Sequence, residues 1–340
     1  MPVLLADLTT LRLGGPVGRL VTASSPDELV DAVRSCDTAG EAALIVGGGS
    51  NLVGADDGWP GAAILVRTSG IDSTEQDGGY VAVTVQAGVE WDAFVAHTVN
   101  QGWSGLASMS GIPGRSGATP IQNVGAYGSE VADFISTVTV LDRGSGLVEA
   151  WPPERCGFGF RTSVFKHTDR YVVLDVTFAL RNSPDGVPVR YLELARRLGV
   201  DPGGIAPSLR VRDVVLGLRR SKGMLLDPDD HDTWSVGSFF VNPFVAPNDA
   251  PADCPHWVVD GRVKLSAAWL IENAGFAKGF GLDRGRGTVA LSSKHTLALT
   301  NRGGATTAEL LELAREIRAG VEAKFAVRLR PEAHFAGVEF

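Results

Sequence analysis

The segment from Gly111 to Gly128 places the strongest constraint on how this chain folds. Its sequence, GIPGRSGATPIQNVGAYG, packs five glycines, two prolines and one aromatic residue into eighteen positions. Glycine permits left-handed backbone conformations and lets a ligand approach the main chain closely, while Pro113 and Pro120 restrict the chain between them. Backbone N–H groups can therefore be held pointing inward, an arrangement that suits a bound polyphosphate or flavin ring.

Length and composition indicate a globular protein with more than one domain. At 340 residues the chain exceeds the usual size of a single domain, and 44% hydrophobic with 21% charged residues is ordinary for such proteins. A formal net charge of −8 and a pI near 5.3 argue against nucleic-acid binding. An anionic ligand must therefore be bound by local cations.

Cysteine, histidine and apolar patterns disfavour several kinds of site. Cys36, Cys156 and Cys254 fit neither a disulfide framework nor a zinc site with paired thiolates, so we expect them to be reduced and mostly buried. The histidines show no close ligand spacing, and no metal site is predicted. No apolar run is long enough to span a bilayer and Met1–Asp7 lacks signal-peptide features, so the sequence predicts a cytoplasmic protein.

Three regions with different patterns follow one another along the chain. Up to residue 69, a helix with a Ser25–Glu28 capping box precedes short buried strands at 42–46 and 63–66. The middle region shows period-two alternation at 81–87 and 172–180, a helix at about 90–101, and a hairpin of 138–141 and 147–151. Beyond it, helices are predicted from about 209, at 266–275, and after a Thr306–Glu309 capping box.

Taken alone, each candidate motif also has an ordinary structural explanation. Gly47–Asn51 follows a buried strand and could bind a diphosphate through its amides, but a tight turn explains it as well. Arg161 could form a surface ion pair, Ser238 could satisfy a turn, and Glu332 could be a solvated carboxylate. The absence of a Rossmann glycine motif, a P-loop and a complete nucleophile elbow disfavours those three classes.

In combination, these segments resemble the UDP-N-acetylenolpyruvoylglucosamine reductase (UDP-N-acetylmuramate dehydrogenase) family, the flavoenzymes of bacterial peptidoglycan precursor synthesis. The resemblance covers nearly the whole chain and is carried, in this order, by Thr10–Gly15, Gly47–Leu52, Gly111–Gly128, Phe160–Lys166, Gly237–Phe240 and Leu329–Glu332. One departure from the family pattern is a longer insert, Gly223–Val236, between Lys222 and Ser238.

The resemblance implies an α+β protein with a two-subdomain FAD-binding fold of the vanillyl-alcohol oxidase type and a third α+β domain that binds substrate. The implied boundaries are 1–69 and 70–208 for the two FAD-binding subdomains, with 326–340 returning to the second, and 209–325 for the substrate-binding domain. The forms of 118–123 and 190–193 are similar to the subtype that retains an extra tyrosine loop over the substrate.

The resemblance also implies a reaction. NADPH would reduce non-covalently bound FAD, which would pass a hydride to the enolpyruvyl group of a UDP-sugar, UDP-N-acetylglucosamine enolpyruvate. Arg161 and a protonated Glu332 would stabilise the negative charge that builds next to the carboxylate, and Ser238 would protonate the adjacent carbon as a general acid.

Further residues are implied as contacts of the cofactor and the substrate. The expected cofactor-binding residues are Gly47, Gly48, Gly49, Ser50, Asn51, Leu52, Ser110, Gly111, Ile112, Pro113, Gly114, Ser116, Gly117, Ala118, Gln122, Asn123, Gly125 and Ala126. The expected substrate-binding residues are Tyr127, Arg161, Tyr191, Lys222, Ser238, Asn242, His295 and Glu332. These partners are small molecules, and no nucleic acid, membrane insertion or obligate protein partner is implied.

Two other functions remain open at this level. An FAD-dependent oxidase or dehydrogenase of a sugar or lactone on the same fold would not need Ser238 and Glu332 together near the flavin. A catalytically inert nucleotide-sugar-binding protein would be colourless when purified.

Overall fold

The computed structural model describes residues 2–259 and 261–340. Within these ranges the helices are α1 (Leu5–Leu8), α2 (Pro26–Ala39), α3 (Trp91–Asn100), α4 (Pro153–Cys156), α5 (Leu192–Leu198), α6 (Ser208–Ser221), α7 (Ala267–Asn273) and α8 (Thr307–Phe325). The strands are β1 (Val17–Ala23), β2 (Ala43–Val46), β3 (Leu52–Gly54), β4 (Trp59–Val66), β5 (Ile71–Gln76), β6 (Tyr80–Gln86), β7 (Trp103–Ser104), β8 (Gly125–Ala126), β9 (Ser129–Glu130), β10 (Ile135–Asp142), β11 (Leu147–Trp151), β12 (Tyr171–Asn182), β13 (Phe244–Val245), β14 (His256–Val259), β15 (Arg262–Leu265), β16 (Val289–Leu291), β17 (Leu299–Asn301) and β18 (His334–Ala336).

The chain forms two compact units. The terminal unit comprises Met1–Val17, Gly49–Trp59 and Ser221–Phe340, and the central unit comprises Gly18–Gly48 and Pro60–Arg220. The three-part division implied by the sequence groups these segments differently, since 326–340 falls in the same unit as 221–325. The physical reason is that β18 pairs in parallel with β3, which belongs to the terminal unit. The finer subdomain boundaries stay a prediction.

Two sheets organise the central unit. One has the order β1–β4–β2, with β2 and β4 parallel, and only its end residues Val17 and Trp59 belong to the terminal unit. The other is antiparallel with the order β11–β10–β12–β6–β5, and β7 also pairs with β12. The alternation predicted for 81–87 is confirmed in β6, whose Val81, Val83 and Val85 are buried in one core cluster with Trp91 of α3.

The terminal unit is built around the long helix α8. Its apolar stripe, which includes Leu310, Ile317 and Val321, is buried in one core cluster with Leu270 of α7. Besides β3 and β18, the unit contains an antiparallel sheet with the order β13–β15–β14 and the antiparallel pair β16–β17. The stripe predicted for α8 is therefore confirmed, because spacings of three and four residues place these side chains on one helical face.

The helix starts follow from their capping residues, with one correction. The capping box predicted for α8 is complete, since Thr306 Oγ1 accepts the Glu309 N–H (3.1 Å) and the Glu309 carboxylate accepts the Thr306 N–H (2.9 Å). Ser25 caps α2 as predicted, accepting the Glu28 N–H at 3.2 Å. The second half of that predicted box is wrong, because the Glu28 carboxylate accepts the N–H of Ser24 instead (2.8 Å).

The cysteines are free and buried, as predicted. Within residues 2–259 and 261–340, no helix is both long and apolar enough to cross a membrane. The same residues contain no group of three histidine, cysteine, aspartate or glutamate side chains that could hold a metal ion.

Asp142, the last residue of β10, provides a pH-dependent contribution to stability. Its carboxylate accepts two hydrogen bonds from Arg170 (both 2.8 Å) and one from the Gly144 N–H (2.9 Å). The Arg170 guanidinium lowers the pKa of Asp142 to about 2. A carboxyl group with a depressed folded-state pKa stabilises the fold above its unfolded pKa, and this stabilisation is lost as the pH falls toward the folded value.

We therefore expect Asp142→Asn to lower the free energy of unfolding near neutral pH, with the difference from wild type shrinking as the pH falls below about 4. Arg170 is half exposed, so the effect is partly screened by salt. Urea denaturation at several pH values measures it, and Asp72→Asn on exposed β5 is the matched control. A difference from wild type that stays constant across this pH range would contradict the assignment.

Candidate active site

The glycine turn after β2 and the Gly111–Gly128 segment touch each other through their backbones in the central unit. A Cβ added to Gly48 would lie 2.7 Å from the Cα of Gly114, and one added to Gly47 would lie 3.4 Å from the Cβ of Arg115. No side chain fits between Gly48 and Gly114, which explains the glycines in both segments. Two segments that we expected to bind one cofactor are therefore neighbours in the fold.

Two arginines border this glycine contact. Arg67 Nη1 donates to the carbonyl oxygen of Gly47 (2.8 Å), and Arg115 Nη1 donates to that of Gly88 (3.0 Å). Burial and the positive charge of Arg115 lower the pKa of Arg67. Cationic groups beside closely packed glycine backbone favour an anionic ligand, so the residues present fit the diphosphate of FAD. Sequence reasoning missed both arginines, although Arg115 lies inside the glycine-rich segment.

Several polar side chains in and next to the glycine-rich segment stabilise its conformation through hydrogen bonds to backbone groups. Ser110 Oγ donates to the Ala107 carbonyl (2.7 Å) and Ser116 Oγ to the Val89 carbonyl (3.1 Å), and both serines are completely buried. Buried Asn123 donates to the Gly159 carbonyl (3.0 Å) and to the Glu130 carboxylate, and accepts the Ala132 N–H (3.1 Å). Their role in cofactor binding stays a prediction, and in this conformation these side chains hold the loop in shape.

Asp92, in the first turn of α3, fixes the start of the glycine-rich segment. Its carboxylate accepts the Gly111 N–H (2.6 Å) and a bidentate pair of hydrogen bonds from Arg212 of α6 (2.5 and 2.9 Å). Burial alone would raise the pKa of Asp92, but the hydrogen bonds from Arg212 and Gly111 lower it below its usual value. The anion thus joins the predicted cofactor segment to α6.

Arg161 and Tyr127 occupy strained backbone positions in the same unit. They have φ values of 53° and 50°, in the left-handed region that favours glycine. Arg161 donates through its guanidinium to the carbonyls of Asn123 (3.2 Å) and Gly125, so it contacts the second half of the glycine-rich segment. The ring of Tyr127 meets that of Tyr191 edge to face, with centroids 5.5 Å apart. Strained backbone of this kind often accompanies function.

In the terminal unit, Ser238, Glu332 and Asn51 come from distant parts of the sequence and lie close together. Residues 239–241 pair with 330–332, since the Glu332 N–H donates to the Phe239 carbonyl (2.8 Å) and the Val241 N–H to that of Arg330 (3.1 Å). Phe240 and Pro331 form the bridge between them. Asn51 Nδ2 donates to the Glu332 carbonyl (3.4 Å). Ser238, the predicted proton donor, and Glu332, predicted to stabilise negative charge, are both half-buried.

The remaining substrate candidates of the terminal unit lie around this pair of segments. The Phe239 N–H donates to the Leu297 carbonyl (2.8 Å), which places the 295–298 turn beside Ser238. His295 is half-buried in that turn. Asn242 Oδ1 accepts the Ala267 N–H (2.9 Å) at the start of α7, a structural role that the sequence did not reveal. Lys222 is half-buried and directly precedes the insert.

Comparison with known families matches residues 17–150 to an FAD-binding domain and residues 227–336 to the C-terminal domain of UDP-N-acetylenolpyruvoylglucosamine reductase. Together with the glycine contact and its arginines, these matches define an FAD-containing oxidoreductase. The predicted α+β class, FAD-binding fold and cofactor are thereby confirmed.

Individual relatives define the family. The chain is 53% identical to the UDP-N-acetylenolpyruvoylglucosamine reductase of Thermobifida fusca (strain YX), covering 98% of this chain and 97% of the relative. It is 52% identical to that of Saccharopolyspora erythraea, covering 96% and 93%. The crystal structure of the Thermus caldophilus enzyme matches 98% of both chains with a TM-score of 0.67 at 26% identity. The chain belongs to the UDP-N-acetylenolpyruvoylglucosamine reductase family.

The glycine contact predicts the effect of one added methyl group. In Gly48→Ala the new Cβ would overlap the Gly114 backbone, and relieving such overpacking costs about 1–3 kcal/mol. We expect FAD to bind roughly 5- to 150-fold more weakly, measured by titrating the apoprotein with FAD and following flavin fluorescence.

The control for this prediction is Gly217→Ala on α6. An added Cβ there meets no atom within 4 Å, and alanine should stabilise the helix by about 0.5–1 kcal/mol without changing FAD affinity. If Gly48→Ala bound FAD as tightly as wild type, the close approach of the two glycine segments would not contribute to the cofactor site.

Proposed function

We propose that this protein uses NADPH to reduce the enolpyruvyl group of UDP-N-acetylglucosamine enolpyruvate to UDP-N-acetylmuramate, in peptidoglycan precursor synthesis. The observation that carries the proposal is the pairing of 239–241 with 330–332 beside Asn51, which brings together the backbone segments of two predicted catalytic residues, Ser238 and Glu332, and a predicted cofactor contact. Family membership supplies the substrate class.

The proposed chemistry divides between the cofactor and the protein. When bound, FAD would supply hydride transfer from NADPH to the methylene carbon of the enolpyruvyl group. The adjacent carbon then needs a proton, and we assign Ser238 to supply it. Hydride and proton together reduce the carbon–carbon double bond, so atoms and electrons balance.

Glu332 and Arg161 are assigned to the charge that develops during this step. Negative charge builds next to the substrate carboxylate, and hydrogen-bond donors that are fixed beforehand stabilise such charge best in a site that excludes water. The Glu332 backbone is held by its hydrogen bond to Phe239, and a protonated carboxyl group can donate. Arg161 is fixed by two carbonyls, and its guanidinium carries five N–H donors in all.

Substrate binding is assigned to the residues that the family resemblance implies. Lys222 would bind the diphosphate, and the neighbouring Arg219 and Arg220 would offset the negative charge of the protein there. Tyr127 and Tyr191 would cover the sugar nucleotide, with His295 as a further contact. Asn242 would donate through Nδ2, since its Oδ1 is engaged at α7.

The finer statements on partners and location are also proposals. We propose that NADPH and the UDP-sugar are the only partners that the reaction needs, with no nucleic acid, membrane insertion or obligate protein partner. We also propose the cytoplasmic location that the sequence predicts.

The geometry disfavours the alternative functions. An oxidase or dehydrogenase of a sugar or lactone does not need Ser238 and Glu332 near each other. The backbone segments that carry these two residues nevertheless pair directly. A nucleotide-sugar-binding protein has no need for the FAD-binding domain that residues 17–150 match.

The proposed function is tested by following flavin absorbance in a stopped-flow instrument. The purified protein should be yellow, NADPH should bleach it, and UDP-N-acetylglucosamine enolpyruvate should then restore the colour. A protein that NADPH bleaches but that this UDP-sugar does not reoxidise would contradict the assigned substrate.

In the same experiment Ser238→Ala should separate the two half-reactions. Bleaching by NADPH needs no protein proton donor and should proceed at the wild-type rate, while reoxidation by substrate should slow by about 10²-fold or more. Glu332→Gln should likewise slow reoxidation far more than it weakens FAD binding. Near-normal reoxidation in Ser238→Ala would show that another group donates the proton.

A further inference from the structure

The insert between Lys222 and Ser238, residues 223–236, is an ordered loop in the terminal unit. Thr233 Oγ1 lies within hydrogen-bond distance of the carbonyls of Asp227 (2.7 Å) and Asp230 (2.8 Å), which share its single proton, and it accepts the Asp227 N–H (3.1 Å). The Asp230 carboxylate accepts the Asp232 N–H (3.0 Å) and caps a short 3-10 turn at His231–Thr233. The insert therefore has a defined shape of its own.

Asp232 joins the insert by hydrogen bonds to the segment that follows β16. Its side chain is 5% exposed, and its carboxylate accepts the Ser293 N–H (2.9 Å), the Ser293 hydroxyl (2.6 Å) and Arg302 Nη1 (2.8 Å). Burial alone would raise the pKa of Asp232, but the hydrogen bonds from Ser293 and the charge of Arg302 lower it. A buried carboxylate with three donors holds its partners in one arrangement.

The segment that Asp232 holds leads directly to Ser238. Ser292 Oγ accepts the N–H groups of Lys294 (3.1 Å) and His295 (3.2 Å), and the Ala298 N–H donates to the His295 carbonyl (3.1 Å), so 292–298 is a tight turn. The Leu297 carbonyl in this turn accepts the N–H of Phe239, the residue after Ser238. Hydrogen bonds and the covalent backbone of the turn thus connect Asp232 to Phe239, the residue that follows the proposed proton donor.

The end of the insert nearest Ser238 is anchored on a second side. The Asn301 N–H donates to the Trp234 carbonyl (3.0 Å), and Thr10 Oγ1 donates to that of Ser235 (2.7 Å). The Arg12 guanidinium lies over the Trp234 ring, 3.8 Å from its centroid. Because this end is fixed independently, loss of Asp232 should displace the 292–298 turn without unfolding the insert.

We propose that Asp232 is a positioning residue for the reduction step, holding the 292–298 turn so that Leu297 fixes the backbone that carries Ser238. The inference rests on the proposed role of Ser238 as proton donor. Asp232 makes no contact with substrate in this proposal and acts only through the turn. Displacement of a reacting group by about 1 Å can slow catalysis by about 10²-fold. A residue that only fixes the position of Ser238 is therefore expected to have a measurable effect on the rate.

The test compares half-reactions in the holoenzyme of Asp232→Asn. Flavin reduction by NADPH should stay within about 2-fold of wild type, while flavin reoxidation by the UDP-sugar should slow by about 10-fold at saturating substrate. Amide hydrogen exchange in the 292–298 turn should become faster in the same variant, a readout that is independent of turnover. Asp229→Asn, which removes the same charge from an exposed position of the insert, should match wild type in both measurements.

A double-variant comparison separates positioning of Ser238 from a general loss of structure. If Asp232 acts through Ser238, adding Asp232→Asn to Ser238→Ala should slow reoxidation little further. Independent effects would multiply and would overturn the proposal. If Asp232→Asn fails to fold, Ser293→Ala removes only one hydrogen bond and should slow reoxidation by about 3-fold, with the same dependence on Ser238.

The outcomes distinguish this inference from the proposed function. If the UDP-sugar fails to reoxidise the wild-type flavin, the proposed function is wrong and the inference falls with it. If wild type and Ser238→Ala behave as proposed but Asp232→Asn and Ser293→Ala reoxidise at the wild-type rate, only the positioning role is wrong. Equal slowing of both half-reactions would also overturn it.

Discussion

The proposed proton chemistry depends on the short pairing between residues 239–241 and 330–332. Two backbone hydrogen bonds join the segments, donated by the N–H groups of Glu332 and Val241, while Pro331, which has no N–H, lies in the bridge between them. The backbone that carries Ser238 and Glu332 is thus joined by main-chain hydrogen bonds. Replacing either side chain removes neither of these two backbone hydrogen bonds, so the pairing itself does not require the Ser238 hydroxyl or the Glu332 carboxyl group.

The central unit uses backbone contact for a different purpose. Where Gly48 meets Gly114, the absence of side chains lets two loops approach closely. The Asp92 carboxylate accepts the N–H of the preceding glycine, Gly111. Close packing of backbone leaves peptide dipoles and the two arginines as the local sources of positive potential, with Arg115 also paired to the exposed carboxylate of Glu90 (3.4 Å). This explains how a protein of net charge −8 can offer an anionic cofactor a favourable site.

The sequence predicted those features that depend on neighbouring residues. The Thr306–Glu309 capping box, the stripe of α8 and the alternation of β6 follow from local periodicity, and the glycine segments were recognised from composition. The contributions of Arg67 and Asp232 could not be predicted, because each depends on partners that only the fold brings near. Even within one helix start, the partner of Glu28 was wrong by one residue, since Ser24 and Ser25 offer equivalent N–H groups to a flexible carboxylate.

The insert also raises an electrostatic problem that its structure resolves. Asp227, Asp229, Asp230 and Asp232 follow closely after Lys222, the residue assigned to the substrate diphosphate, and unpaired carboxylates there would repel that anion. Lys294 pairs with Asp230 at 2.5 Å and Arg302 with Asp232 at 2.8 Å, which cancels two of the four charges. The hydrogen bond to Asp230 raises the pKa of Lys294 and keeps it charged. The same ion pairs that shape the insert therefore reduce its negative charge, which under the proposed role of Lys222 would lessen the repulsion of the substrate diphosphate.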